Sequence, residues 1–115
     1  MFGKINFDKL ILNKNVNKLF KLLQKPLMSL EDLEFRVQVV NALVSIGDKR
    51  AIDPIKEALM EIKSKSALEQ NIPLNNYIEA GDVGSIYKRG MWIISEREII
   101  NALNELEHKT DKTDF

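Results

Sequence analysis

The residue types that most often carry out catalysis are scarce in this chain. It has no cysteine and a single histidine, His108, so thiolate nucleophiles, disulfides and zinc–thiolate sites are excluded. A metal site built on His108 would need carboxylates close by, and a helix would bring Glu105 to the same face. A histidine near a helix end is explained more simply by its favourable interaction with the helix dipole. The sequence therefore predicts no catalytic residue, no metal site and no cofactor.

A carboxylate and a guanidinium also stand close together, at Asp48 and Arg50. Such a pair can take part in catalysis. However, it follows Gly47, and glycine commonly ends a helix in the left-handed conformation. An aspartate at this place accepts N–H bonds from the start of the next helix. We therefore assign structural roles in a turn to Gly47 and Asp48.

The segment 63–94 differs in composition from the rest of the chain. It contains three of the five glycines, both tyrosines and the only tryptophan. The run Gly81–Gly84, with Lys88 and Arg89 after it, could bind an anion, although no phosphate-loop Lys-Ser/Thr follows. Aromatic side chains with arginine are enriched in the hot spots of protein interfaces; the alternative is that they cover the chain's own core. The residues predicted to contact a partner here are Tyr77, Tyr87, Lys88, Arg89 and Trp92.

Helices are predicted for most of the remaining chain. Apolar residues recur at Val16, Leu19, Phe20 and Leu23, the spacing of one helix face. Ser29 with Asp32, and Ser95 with Glu98, have the types and spacing of helix N-caps. These signals predict helices near 4–12, 15–25, 30–46, 51–66 and 96–108, an irregular insertion over about 63–94, and a flexible tail over about 109–115.

Two pairs of segments resemble each other at fixed offsets. The apolar spacing that begins at Val16 returns at Ile52, an offset of 36 residues. The triplet Asn41–Leu43 returns as Asn101–Leu103, an offset of 60 residues, which equals one such repeat plus about 24 inserted residues. Self-similarity of this kind predicts a stack of helical repeats.

The best-defined repeat spans residues 34–62. It resembles the HEAT-like repeat known from phycobilin lyases, in which an early arginine, Ala-Leu, Ile-Gly-Asp and Arg-Ala-Ile recur; the matching residues are Arg36, Ala42, Leu43, Ile46, Gly47, Asp48, Arg50, Ala51 and Ile52. The chain departs from the pattern at Val40, Val44 and Pro54. The resemblance implies an all-α fold, a short right-handed α–α superhelix of about two and a half repeats in a single domain, 1–115. It also implies structural roles for Arg36 and Asp48. The lyase activity does not carry over, because only the repeat motif matches.

The helix predicted over 30–46 is apolar on two sides. Phe35, Val39 and Leu43 belong to one stripe, and Val37, Val40 and Val44 to a second. A helix of this kind is sandwiched between neighbours. In the last copy of the repeat Asn104 replaces Val44, as expected of a terminal helix with a wetter outer face.

Four lysines recur at helical spacing opposite the first apolar face, within about 60° of one another. Such a strip could attract an acidic protein, a phosphorylated ligand or nucleic acid, but a solvated face is the simpler explanation. The positions 36 residues later hold two glutamates, so the strip does not continue and nucleic-acid binding is disfavoured. The strip consists of Lys14, Lys18, Lys21 and Lys25.

The chain as a whole is predicted to be a cytoplasmic protein-binding scaffold without enzymatic activity. Its 115 residues suit one domain, and no apolar run is long enough to span a membrane or to act as a signal peptide. So few repeats should close themselves or pair with a second chain, so a homodimer is expected. The second apolar stripe of helix 30–46 and a basic start followed by acidic segments both favour self-association. The alternative is a basic module for nucleic acid or a phosphorylated ligand.

Overall fold

The computed structural model describes the backbone of residues 5–70 and 74–113, and the side chains of residues 5–67, 75–76 and 78–109. In these residues the secondary structure is helical and contains no strand, which confirms the all-α prediction. A 3-10 turn, Lys49–Ala51, precedes the fourth helix. The α-helices are α1 (Phe7–Leu12), α2 (Val16–Leu23), α3 (Leu30–Ile46), α4 (Ile52–Gln70), α5 (Leu74–Ala80) and α6 (Val83–Thr113).

The helices pack in two rows. In the first row α3 lies between α1 and α6, and in the second row α2 lies beside α4. The rows meet where α2 packs on α3 and α4 packs on α6, while the short α5 packs on α6. This arrangement is consistent with an all-α solenoid.

Helix α3 is sandwiched, as its two apolar stripes predict. Val37, Val40 and Val44 are all buried, as are Val39 and Leu43 of the other stripe. The stripe of Val37, Val40 and Val44 is therefore covered within the chain, and it does not offer a surface to a second copy. On α6 the position equivalent to Val44 is Asn104, which is exposed, as expected of a terminal helix.

The ends of α3 match the sequence signals. The Ser29 hydroxyl accepts a hydrogen bond from the Asp32 amide at 3.2 Å. Gly47 follows the last turn with φ 78°, in the left-handed region that glycine tolerates, and its amide donates to the Leu43 carbonyl. Local chemistry alone fixes both ends of this helix.

The prediction of an irregular insertion over 63–94 is wrong in the residues described. Helix α4 continues to Gln70, α5 follows, and α6 already begins at Val83. The cap of α6 is Asp82, which accepts from the Ser85 amide at 3.0 Å, whereas Ser95 is buried inside the helix. Two glycines inside α6 suggested a break, but each costs only about 1 kcal/mol, less than packing against α3 and α4 contributes.

The other helix boundaries shift by a few residues. Helices α1 and α2 are shorter than predicted, and α6 runs to Thr113. Residues 109–113, expected in a flexible tail, are therefore helical, and residues 114–115 lie outside the described part. Residue 4, the predicted start of the first helix, also lies outside it.

Arg36 joins three helices. It is the one buried charged side chain among those described, with 3% of its surface exposed. Its Nη1 donates to Glu61 Oε2 on α4 at 2.8 Å, and its Nη2 donates to the Lys25 carbonyl just after α2. A buried guanidinium needs such partners, because they replace the water that it loses.

We predict that Arg36→Ala lowers the free energy of unfolding by about 2–3 kcal/mol. This loss is smaller than the loss usually seen when one partner of a buried ion pair is removed, because Glu61 is half exposed and its carboxylate regains contact with water. Urea denaturation measures the effect. The matched control is Arg50→Ala, which removes an exposed pair with Asp48 and should cost much less. Equal losses in the two variants would contradict the linking role of Arg36.

Asp48 closes the turn between α3 and α4. Its Oδ2 accepts from Arg50 Nη2 at 2.7 Å and its Oδ1 accepts from the Arg50 amide at 2.9 Å. The side-chain hydrogen bond with Arg50, and then the backbone one, hold the pKa of Asp48 below its ordinary value of 3.8. Asp48 thus caps the turn that leads into α4.

This lowered pKa predicts how stability depends on pH. A carboxyl whose pKa is lower in the folded state stabilises the fold above its unfolded pKa, and this contribution is lost as the pH falls through the folded value. The stability difference between wild type and Asp48→Asn should therefore be constant near neutral pH and shrink below 3.8. Urea denaturation at several pH values measures it, and a difference that persists unchanged in acid would refute the prediction.

Candidate protein-binding surfaces

The predicted partner contacts of segment 63–94 do not share one surface. Tyr87 is 62% exposed on α6, and Lys88 beside it is exposed too. Arg89 is partly buried, and Trp92 is only 5% exposed. The side chain of Tyr77 lies outside the described part. Within this set, Tyr87 is the large side chain that a partner can reach.

The prediction that Trp92 contacts a partner is therefore wrong. Trp92 belongs to a buried row on α6 that continues through Ser95, Ile99 and Leu106 and faces the core. Its indole Nε1 has no hydrogen-bond partner. An unpaired buried donor of this kind costs about 1–3 kcal/mol. The apolar area of the ring must outweigh that cost, which makes Trp92 a packing residue.

The opposite side of α6 carries an exposed apolar row. Val83, Tyr87 and Ile94 are 73%, 62% and 52% exposed, and at about 100° per residue they fall within about 40° of one another. Gly90 lies between Tyr87 and Ile94 on the same side, and a Cβ there would have no atom within 4 Å. We call Val83, Tyr87 and Ile94 the α6 apolar row. The neighbouring α5 adds Ile78, which is 57% exposed.

The sequence-based prediction omits this row because it expects an irregular segment over 63–94. Val83, Tyr87, Gly90 and Ile94 follow one another at steps of four, three and four residues, which is the spacing of one helix face. Gly90 interrupts the apolar pattern. Composition alone therefore carries the prediction for Tyr87, and it does not single out Val83 or Ile94.

The four predicted lysines do not form one helical strip. Lys14 lies in the turn between α1 and α2 with φ 52°, and only Lys18 and Lys21 lie on α2. Lys25 follows α2, and its Nζ lies 5.4 Å from the ring centre of Phe35. The strip prediction assumed a longer helix than the chain forms.

A groove of about 390 Å³ separates α2 from α4. Its walls are formed by Phe20, Leu23, Gln24, Pro54, Glu57, Ala58 and Glu61. The end of α2 lies beside the second half of α4, because Arg36 joins the Lys25 carbonyl to Glu61, and Lys65 Nζ donates to the Leu27 carbonyl at 3.3 Å.

The described residues do not assemble a metal site around His108. They contain no group of three or more His, Asp or Glu side chains that could hold a metal ion. His108 is exposed, and Glu105 lies 3.4 Å from Lys109 Nζ as an ion pair. None of the described helices is long and apolar enough to cross a membrane.

The different placement of the two aromatic residues leads to a prediction. Trp92→Ala should lower the free energy of unfolding by about 3–5 kcal/mol, since it empties a large core site. Tyr87→Ala should change it by less than about 0.5 kcal/mol, as is usual for an exposed position. Urea denaturation of both variants measures this, and a large loss for Tyr87→Ala would show that its ring packs on the fold.

Comparison with models of protein families finds a match within α3 and α4. A family model described as PBS lyase HEAT-like repeat matches residues 35–61. No curated protein and no solved structure matches the chain. The matched residues run from the first half of α3 through the turn at Gly47 and into α4, and they include Arg36 and Asp48. The resemblance of this stretch to a HEAT-like repeat, a type that generally mediates protein–protein interaction, is thereby confirmed.

Proposed function

We propose that the chain is a non-catalytic protein-binding scaffold, and that a partner protein binds to the α6 apolar row. The observation that carries this proposal is the exposure of Val83, Tyr87 and Ile94 on one side of α6. Exposed apolar patches rimmed by polar residues often mark the sites at which soluble proteins bind other proteins.

The surroundings of the row support a protein partner. Arg97 and Glu98 follow Ile94 by three and four residues, so they lie on either side of the row's axis, and both are exposed. An apolar centre with a charged rim is the usual organisation of a protein interface. Tyr87 lies near the middle of the row, and tyrosine is one of the residue types that often contribute most of the binding energy of an interface.

The alternative, a basic module for nucleic acid or a phosphorylated ligand, finds little support. Only Lys18 and Lys21 of the four lysines lie on α2, and Glu57 and Glu61 line the adjacent groove. These carboxylates would repel a phosphate backbone. The proposal also includes self-association, through a surface other than the α6 apolar row.

We predict that replacing both Tyr87 and Ile94 by Ser abolishes partner binding without unfolding the chain. Both side chains are exposed, so stability should change little. Affinity capture from cells that make the protein, followed by quantitative mass spectrometry, compares the wild type with this double variant. Proteins retained by the wild type should be lost from the variant.

A matched control replaces Leu12 by Ser, which removes an exposed apolar side chain from α1, away from both candidate surfaces. This variant should retain the proteins bound through α6. If the double variant keeps every protein that the wild type captures, the α6 apolar row is not the binding surface.

A further inference from the structure

We propose that the face formed by α2 and α4 binds the same face of a second copy of the chain, which gives a weak, salt-sensitive homodimer. This specifies the self-association included in the proposed function. It rests on residues other than the α6 apolar row, so either proposal can fail without the other.

The face carries opposite charges on its two sides. Lys21 is exposed on α2 next to Phe20, which lines the groove, and Glu57 and Glu61 line the groove from α4. Lys21 and Glu57 are 36 residues apart, the repeat offset, so they occupy equivalent places on neighbouring helices. A positive charge on α2 thus lies on one side of the groove and negative charges on α4 lie on the other.

Such a face is complementary to itself. A two-fold axis along the groove lays α2 of one copy over α4 of the other, and the same contact then occurs twice. Lys21 of each copy then meets Glu57 of the other. A two-fold axis across the groove would instead lay α2 over α2 and α4 over α4, which brings like charges together. The charge pattern therefore selects one pairing of the two faces.

The charges are available for this contact. Within the described part of the chain neither Lys21 nor Glu57 has an ion pair, and both are exposed. The groove between them adds apolar surface from the partly buried Phe20. Met60, three residues after Glu57 on the same side of α4, is exposed as well. A second copy would cover this apolar surface while neutralising both charged sides.

A foreign partner of one charge fits this face less well. An acidic surface is attracted by Lys21 and repelled by Glu57. A basic surface is repelled by Lys21 and attracted by Glu57. The face is also small, with one wall from an eight-residue helix. Interfaces below about 1,200 Å² are typical of weak, transient association, and exposed ion pairs make such association sensitive to salt.

Charge reversal tests the proposal on the purified full chain. Sedimentation equilibrium should show a monomer–dimer equilibrium at about 0.01 M salt that weakens at about 1 M, where the Debye length falls from about 30 Å to about 3 Å. Lys21→Glu and Glu57→Lys should each weaken dimerisation by about tenfold or more, because the two-fold axis repeats every substitution. An equimolar mixture of the two variants should restore association as a heterodimer, since each then meets its opposite charge.

Lys49→Glu and Glu34→Lys serve as controls, because they change the net charge equally at exposed positions away from the groove. They should leave the dimer unchanged. A wild type that stays monomeric at low salt, or a mixture that associates no better than its components, overturns the proposal. A dimer that resists charge reversal but is lost when Tyr87 and Ile94 become Ser would place self-association on the α6 apolar row instead.

Discussion

The two-row packing depends on a buried cation at Arg36. Its guanidinium loses water in the core, and it is stable there only because acceptors from other elements take the place of that water. Since one acceptor follows α2 and the other lies on α4, the position of α3 relative to both is constrained. Glu61 belongs to this ion pair and to the groove wall, so the same interaction shapes the face between α2 and α4.

Helix α6 shows how one element can close the fold and still offer a binding surface. Its inner row, from Trp92 to Leu106, is buried against the rest of the chain. Its outer side is polar in the second half, where Asn104 stands in place of Val44, but apolar in the first half around Tyr87. A helix that served only as a cap would be polar along its whole outer side. The apolar half is what distinguishes α6 from a simple cap.

The two candidate surfaces differ in the physics by which they would bind. The α6 apolar row depends on removing apolar area from water, which varies little with salt and tolerates many partner shapes. The face of α2 and α4 depends on the order of its charges, which contributes little affinity but specifies orientation. A scaffold with both could associate with itself through one face while a partner protein binds the other.

The sequence by itself determined the features that depend on neighbouring residues. Ser29 and Gly47 set the ends of α3 through local hydrogen bonds, and the repeat motif placed Arg36 and Asp48 in recognisable positions. The continuous helix over 83–113, the burial of Trp92 and the exposure of Tyr87 were decided only by the tertiary structure. Their local signals favoured a break, because glycine and the Ser95 capping pattern usually mark ends. Packing against α3 and α4 outweighed those local preferences, since the burial of a long apolar row contributes more free energy than two glycines cost.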